Sequence, residues 1–231
     1  FIQFWVLNPF VGNDNPPPGG DLYINLGSVS EDILRDGVQA IENSVPVNGD
    51  LSKLDSTRWG YATSVRPPVV AFDADPSARD LQDVGYDLLN DEQERTWVSD
   101  SAYANYIQRV INTFGQASPA YAQANADPAS DNFRYYRGDD LDQEEANILE
   151  RYKAFNNPQG NSNPTPVGGV SAFATNLPDI EDVNRDQTLS KAETYYQYRI
   201  SMRPSDLQTE GQNYITSIEK TRSPDQPNGQ S

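Results

Sequence analysis

Alternating segments at both ends of the chain enclose a stretch, from about residue 83 to 156, whose apolar residues recur at helical spacing. That order predicts an α+β fold, a β-sandwich-like sheet with a mainly helical insertion and long loops. Leu22, Ile24 and Leu26 share one face of an alternating run; Thr194, Tyr196, Tyr198, Ile200 and Met202 share a face of another. Tyr214–Ile218 reads as a further strand. Val69–Phe72, between Pro67-Pro68 and the acidic turn Asp73-Ala74-Asp75-Pro76, reads as a short one. The expectation is one domain over 1–222, with β elements at 1–75 and 170–220 and a disordered tail at 223–231.

Within the insertion, Tyr103, Tyr106, Ile107, Val110, Ile111 and Phe114 form one continuous face, which predicts a helix over Asp91–Phe114 capped by Asn90 and stopped by Gly115. Leu141, Ile148, Tyr152 and Phe155 mark a second helix, behind the acidic run Asp139–Glu145. Ser28 and Glu31 have capping-box spacing ahead of Ile33, Leu34, Val38 and Ile41, so a short helix is expected there, weakened by Gly37. Residues 156–169, rich in Asn, Pro and Gly, read as a long connection or binding loop. Phe1–Leu7 alternates from its first residue, as a buried strand would, which suggests a chain cut from a longer protein.

Only 36% of residues are hydrophobic, beside 17 Pro and 15 Gly, so the core is modest and much of the chain is loop. A net charge of −17 repels phosphate backbones and argues against a nucleic-acid partner. Cysteine and histidine are both absent. Their absence removes disulfides, thiolate and imidazole metal sites, Cys nucleophiles and the Ser-His-Asp triad. Carboxylate pairs alone survive, and adjacent acids such as Asp139 and Asp140, or Glu144 and Glu145, face different directions on a helix. No enzymatic activity is expected. No run approaches the length of a membrane-spanning helix.

Residues 182–193 place oxygen ligands in the register of EF-hand and dockerin-like calcium loops: Asp182, Asn184 and Asp186 at positions 1, 3 and 5, the Thr188 carbonyl at 7 and Glu193 at 12. Gln187 occupies position 6, where glycine is expected. Calcium is the cofactor these oxygens suggest, and a polar turn before a strand is the alternative. Asp83, Asp87, Asn90, Asp91 and Glu94 form a second, looser oxygen cluster beside Asp73 and Asp75, with helix capping as its plainer role. Trp5, Trp59, Trp97 and Tyr135-Tyr136 are candidates for sugar stacking, which leaves a calcium-dependent carbohydrate-binding or adhesion module as a second function class.

A series of stretches gives the chain a family likeness. They are Phe4–Phe10, Gly20–Gly27 with Ser30–Leu34, Gln82–Asp87, Asp127–Phe133, Leu149–Lys153 with Asn156-Asn157-Pro158, and Glu181–Asp186. In this order they resemble the SprA family, called Sov in some species, of outer-membrane translocons of the Bacteroidetes type IX secretion system. The resemblance implies a soluble, non-catalytic insert of a giant translocon that serves protein secretion and, in gliding species, motility. It would cap or line the pore, or dock partners. The implied partners are the remainder of the translocon chain, other secretion-system subunits and secreted cargo. The implied place is the cell surface at the outer membrane, with the periplasmic face as the alternative.

Overall fold

The computed structural model describes residues 2–3, 6, 18–63, 65–97, 102–162 and 177–218. The opening strand rests largely on Phe1, Phe4, Trp5 and Leu7, which lie outside the described residues, as do the tail 223–231 and the second half of the 156–169 connection. The chain is an α+β mixture, as expected. Its strands pair as two separate two-stranded antiparallel sheets rather than as a sandwich, and no closed barrel forms among the described residues. Two compact units account for the chain: Phe1–Val29 with Ala192–Ser231, and Ser30–Lys191.

The first unit is built on a long ribbon. Strand β1 (Asp21–Ser28) runs antiparallel to β4 (Thr194–Ser201), with Leu22 opposite Ile200, Ile24 opposite Tyr198 and Leu26 opposite Tyr196. Both strands were legible as alternation. Cross-strand pairing of these apolar and aromatic side chains is the unit of ribbon stability. Asp21 adds ion pairs to Arg199 (3.0 Å) and Arg203 (2.9 Å), with partially exposed side chains that add little to stability. The strand expected at Tyr214–Ile218 does not form. Asn213 and Tyr214 adopt left-handed φ values of 50° and 62°. The Asn213 amide donates to the Ser201 carbonyl and accepts from the Ser201 N–H, both at 2.7 Å, so one side chain takes the place of a third strand.

Among its described residues the second unit carries the short hairpin β2 (Leu54–Ser56) and β3 (Tyr61–Thr63) and six α-helices: α1 (Arg79–Gln82), α2 (Asp91–Thr96), α3 (Ala102–Phe114), α4 (Pro119–Ala126), α5 (Asp139–Gln143) and α6 (Ile148–Lys153). The helix expected over 91–114 is two helices here. Asn90 caps α2, as read from sequence, and the structure adds a full capping box with Gln93, but Trp97 turns extended and closes the helix. Trp97 then packs edge-on against Tyr61 at 4.8 Å. On α3, Tyr103 and Val110 are buried, Ile107 and Ile111 half-buried, and Tyr106 and Phe114 exposed. The second expected helix also divides. Glu145 takes φ 51° between α5 and α6, and Asn147 opens α6 with its own capping box to Glu150. Phe133, Tyr136, Tyr152 and Phe155 pack together across this break at 5.1–6.0 Å.

Much of this unit is irregular, and buried backbone N–H groups still require acceptors. Acidic side chains supply them, and accept from part-buried N–H groups as well. Glu181, 1% exposed, accepts from the N–H groups of Ile33 (2.6 Å), Leu34 (3.1 Å) and Ala40 (2.8 Å). Glu42, fully buried, accepts from Gly85 (3.1 Å) and Asp179 (2.8 Å). Asp83 accepts from Gly160 (3.1 Å) and Ser162 (3.0 Å). Glu31 accepts from Val183, Asn184 and Ser190. Side-chain contacts to the backbone explain two departures from the expected elements. The helix expected after Ser28 is a bent loop, with Arg35 and Gly37 left-handed, because Glu181 and Asp32 take the N–H groups that a helix would use. The strand expected at Val69–Phe72 is absent, and the Asn43 amide donates to the carbonyls of Val69 (2.9 Å) and Ala71 (2.8 Å).

Candidate functional site

The loop read as a calcium site is well formed over its first seven positions. Asp182 accepts from the N–H groups of Asp186 and Gln187, Asn184 from Asp186, and Asp186 from the N–H and hydroxyl of Thr188. Gln187, at the position where such loops favour glycine, does adopt the left-handed turn, with φ 68°. Asp182 is buried, whereas Asn184, Asp186 and Thr188 are exposed. Glu193, the twelfth position, belongs to the other unit. Glu31 holds the loop from beneath, and its backbone donors, chiefly Ser190 and Asn184, keep its carboxyl below the usual range. A left-handed non-glycine residue carries a conformational penalty. Gln187→Gly should therefore raise the unfolding free energy by about 0.5–1 kcal/mol, read in urea titrations.

The second oxygen cluster has a clearer geometry. Residues 83–89 form a loop at the centre of the unit, with Asp83, Val84, Gly85, Asp87, Leu88 and Leu89 all buried. The loop is fixed by close backbone approach. Tyr61 donates its N–H to the Asp87 carbonyl at 2.9 Å, and a Cβ on neighbouring Gly60 would meet that oxygen at 2.1 Å. Asp87 also accepts from the Leu89 N–H and from the Tyr103 hydroxyl on α3. Glu94, on the inner side of α2, is fully buried and accepts from the Ala129 N–H at 2.9 Å. Asp131 arrives from the turn after α4, where Asp127 accepts its N–H at 3.0 Å and Ser130 is left-handed.

One carboxylate oxygen from each of Asp87, Glu94 and Asp131 lies within 4.8 Å of the others. Burial pushes all three carboxyls up. Asp87 rises to about 7, while Glu94 reaches about 9 with added repulsion from Asp87 and Asp131, and Asp131 about 8 with repulsion from Asp87 and Asp127. Asp91, which the sequence placed in the same cluster, instead accepts from the Asn132 amide, and Asn90 is occupied as the α2 cap. Asp83 serves its two backbone donors, and Asp73 accepts from the N–H of Asp75. Asp131 was not foreseen as a member. Gly85 admits it: at φ +83°, a Cβ there would stand 2.3 Å from Asp131 Oδ2. Gly85→Ala should cost roughly 2 kcal/mol or more, from the left-handed backbone and the collision together, and thermal melts would register it.

The sugar-stacking candidates are engaged within the chain. Trp59 donates its indole N–H to the Leu34 carbonyl at 2.7 Å and packs edge-on against Tyr103 at 5.8 Å. Trp97 meets Tyr61, Tyr135 packs against Tyr136 at 4.9 Å, and Tyr136 stacks on Tyr152. Trp5 lies outside the described residues. No helix of the described residues is long and apolar enough to cross a membrane.

No curated protein matches the chain. A family model does: SprA_N, described as motility related/secretion protein, matches residues 105–231. That range is more than half of the sequence and contains both Asp131 and the 182–193 loop. The chain therefore belongs to the SprA_N family of motility-related secretion proteins.

Proposed function

We propose that the chain is a non-catalytic soluble insert of an outer-membrane translocon, serving protein secretion and motility by capping or lining the pore or by docking partners. The observation that carries this reading is the family match over residues 105–231. The absence of histidine and cysteine supports a role without chemistry. A shape-based role also needs loops that hold a fixed form, and the carboxylate–backbone contacts of the second unit supply that. In the first unit, Tyr23, Leu26, Tyr196, Tyr198 and Tyr214 are exposed large side chains on or beside a two-stranded ribbon. Such ribbons are marginal alone and gain from cover. We assign this surface to contacts with the remainder of the translocon chain, with other secretion-system subunits or secreted cargo as further partners. The proposed location is the cell-surface side of the outer membrane, the periplasmic face being the alternative.

Deletion of residues 1–220 from the parent protein, with secretion and barrel assembly assayed separately, tests the reading. The expected result is an assembled barrel with failed or unregulated secretion. Normal secretion after a clean deletion, or hydrolysis of a glycan or peptide by the isolated chain, would overturn it.

A further inference from the structure

We propose that Asp87, Glu94 and Asp131 form a binding site for a hard divalent cation, with calcium the best-matched ion. This site is separate from the 182–193 loop. Calcium binds oxygens at about 2.3–2.6 Å, so a single ion can reach three oxygens spread over no more than 4.8 Å.

A cluster of acids alone would not carry this assignment; the unused oxygens do. Glu94 Oε1 and Asp131 Oδ1 are buried and have no hydrogen-bond partner among the described residues, although Glu94 is fully buried. Elsewhere among the described residues one other buried carboxylate oxygen, Asp140 Oδ1, lacks a partner, and the second oxygen of that carboxylate is ion-paired to Arg134, a counter-charge the cluster does not have. Both oxygens of Glu42, of Asp83 and of Glu181 accept backbone N–H groups. None of the three cluster residues is paired with a basic side chain among the described residues. Three crowded acids without a counter-cation must either hold protons or share a metal ion, and the orphaned oxygens favour the ion.

The surroundings supply the rest of a coordination sphere. A cavity of about 340 Å³, lined by Trp59, Tyr86, Asp87, Tyr103, Ala129 and Asp131, adjoins the cluster. It gives an ion a route in and gives waters room to complete the six to eight oxygens that calcium takes. Tyr103, through its hydroxyl on Asp87, and Leu89, through its N–H, orient that ligand from behind.

The test uses the 231-residue chain after chelator treatment. Calorimetric titration with calcium chloride should show saturable binding, and the melting temperature should rise by several degrees. Glu94→Gln and Asp131→Asn each keep the side-chain shape and remove one charge, and each should weaken binding at least ~10-fold. Asp186→Asn, in the 182–193 loop, should leave this binding unchanged. Terbium luminescence gives a reading that needs no variant, because Trp59 and Tyr103 line the cavity and would sensitise an ion held there. Calcium should displace that emission. The proposal fails if calcium, magnesium and manganese all show no saturable binding, if terbium emission is not sensitised, or if binding is lost in Asp186→Asn but kept in Glu94→Gln and Asp131→Asn. Equal binding by the wild type and both site variants, each folded by circular dichroism, also overturns it.

Discussion

Glu181→Ala is expected to lower the unfolding free energy of the Ser30–Lys191 unit by about 3–5 kcal/mol, because three backbone N–H groups, that of Ala40 buried and those of Ile33 and Leu34 part-buried, lose their acceptor at once. Folded domains hold only ~5–15 kcal/mol in total, so the variant should sit close to unfolding at room temperature. The effect is large because the contacts are distant in sequence: Glu181 joins Ile33, 148 residues away, to its own strand-like neighbourhood opposite Ala40 and Ile41. Without it, residues 33–40 have no regular structure to fall back on. Urea denaturation followed by circular dichroism measures the loss. Glu92→Ala, on the exposed side of α2, is the control and should change stability by less than about 0.5 kcal/mol. A loss at Glu181 no greater than at Glu92 would contradict the role given to it.

The second large effect is on pH dependence. Burial, aided by Asp83 and Asp179 nearby, pushes the Glu42 carboxyl up to about 9 against the pull of its two backbone donors. The unfolded chain releases this proton near the ordinary glutamate value of 4.5, whereas the folded chain keeps it to about 9. Between those values the folded state binds more protons, so the contribution is fully present below pH 4.5 and is lost as pH rises towards 9. The slope from this group is at most about 1.4 kcal/mol per pH unit. Asp83, raised by burial to about 6, acts with the same sign over a narrower window. In chelator-containing buffer, stability should therefore fall from pH 5 to pH 9. Glu42→Gln should flatten that fall while costing roughly 1–3 kcal/mol at pH 5, since its amide cannot accept from both Gly85 and Asp179. Stability that rises from pH 5 to 9, or a slope unchanged in Glu42→Gln, would refute this.

The parts of the fold that were legible are those whose signal is local. Alternation over Asp21–Leu26 and Thr194–Met202 marks both strands of the long ribbon, and Asn90 before an acidic turn marks the start of α2. The rest depends on residues that meet across the chain. Nothing near Ile33 announces that Glu181 will collect its N–H, and nothing near Asp179 announces Glu42, 137 residues away. The helices that broke did so at left-handed Glu145 and extended Trp97, residues with no strong local signal against helix. The 182–193 loop was visible because its spacing is contiguous, and its left-handed turn at Gln187 is present. Of the carboxylate triad, Asp87 and Glu94 were visible as a cluster of acids. Asp131 was hidden by distance, and the one clue to it was Gly85, a residue without a side chain in a buried loop.

Acidic side chains fix the irregular backbone of the second unit, and native-state amide hydrogen exchange can read that fixation residue by residue. The amides of Ile33, Leu34, Ala40, Gly85, Gly160, Ser162 and Asp179 donate to Glu181, Glu42 and Asp83. Protection of these loop amides should be comparable to that of the Val110 and Ile111 amides in α3, and should be lost at residues 33, 34 and 40 in Glu181→Ala. Exchange of the same amides at the rate of an unstructured peptide in the wild-type chain would contradict it.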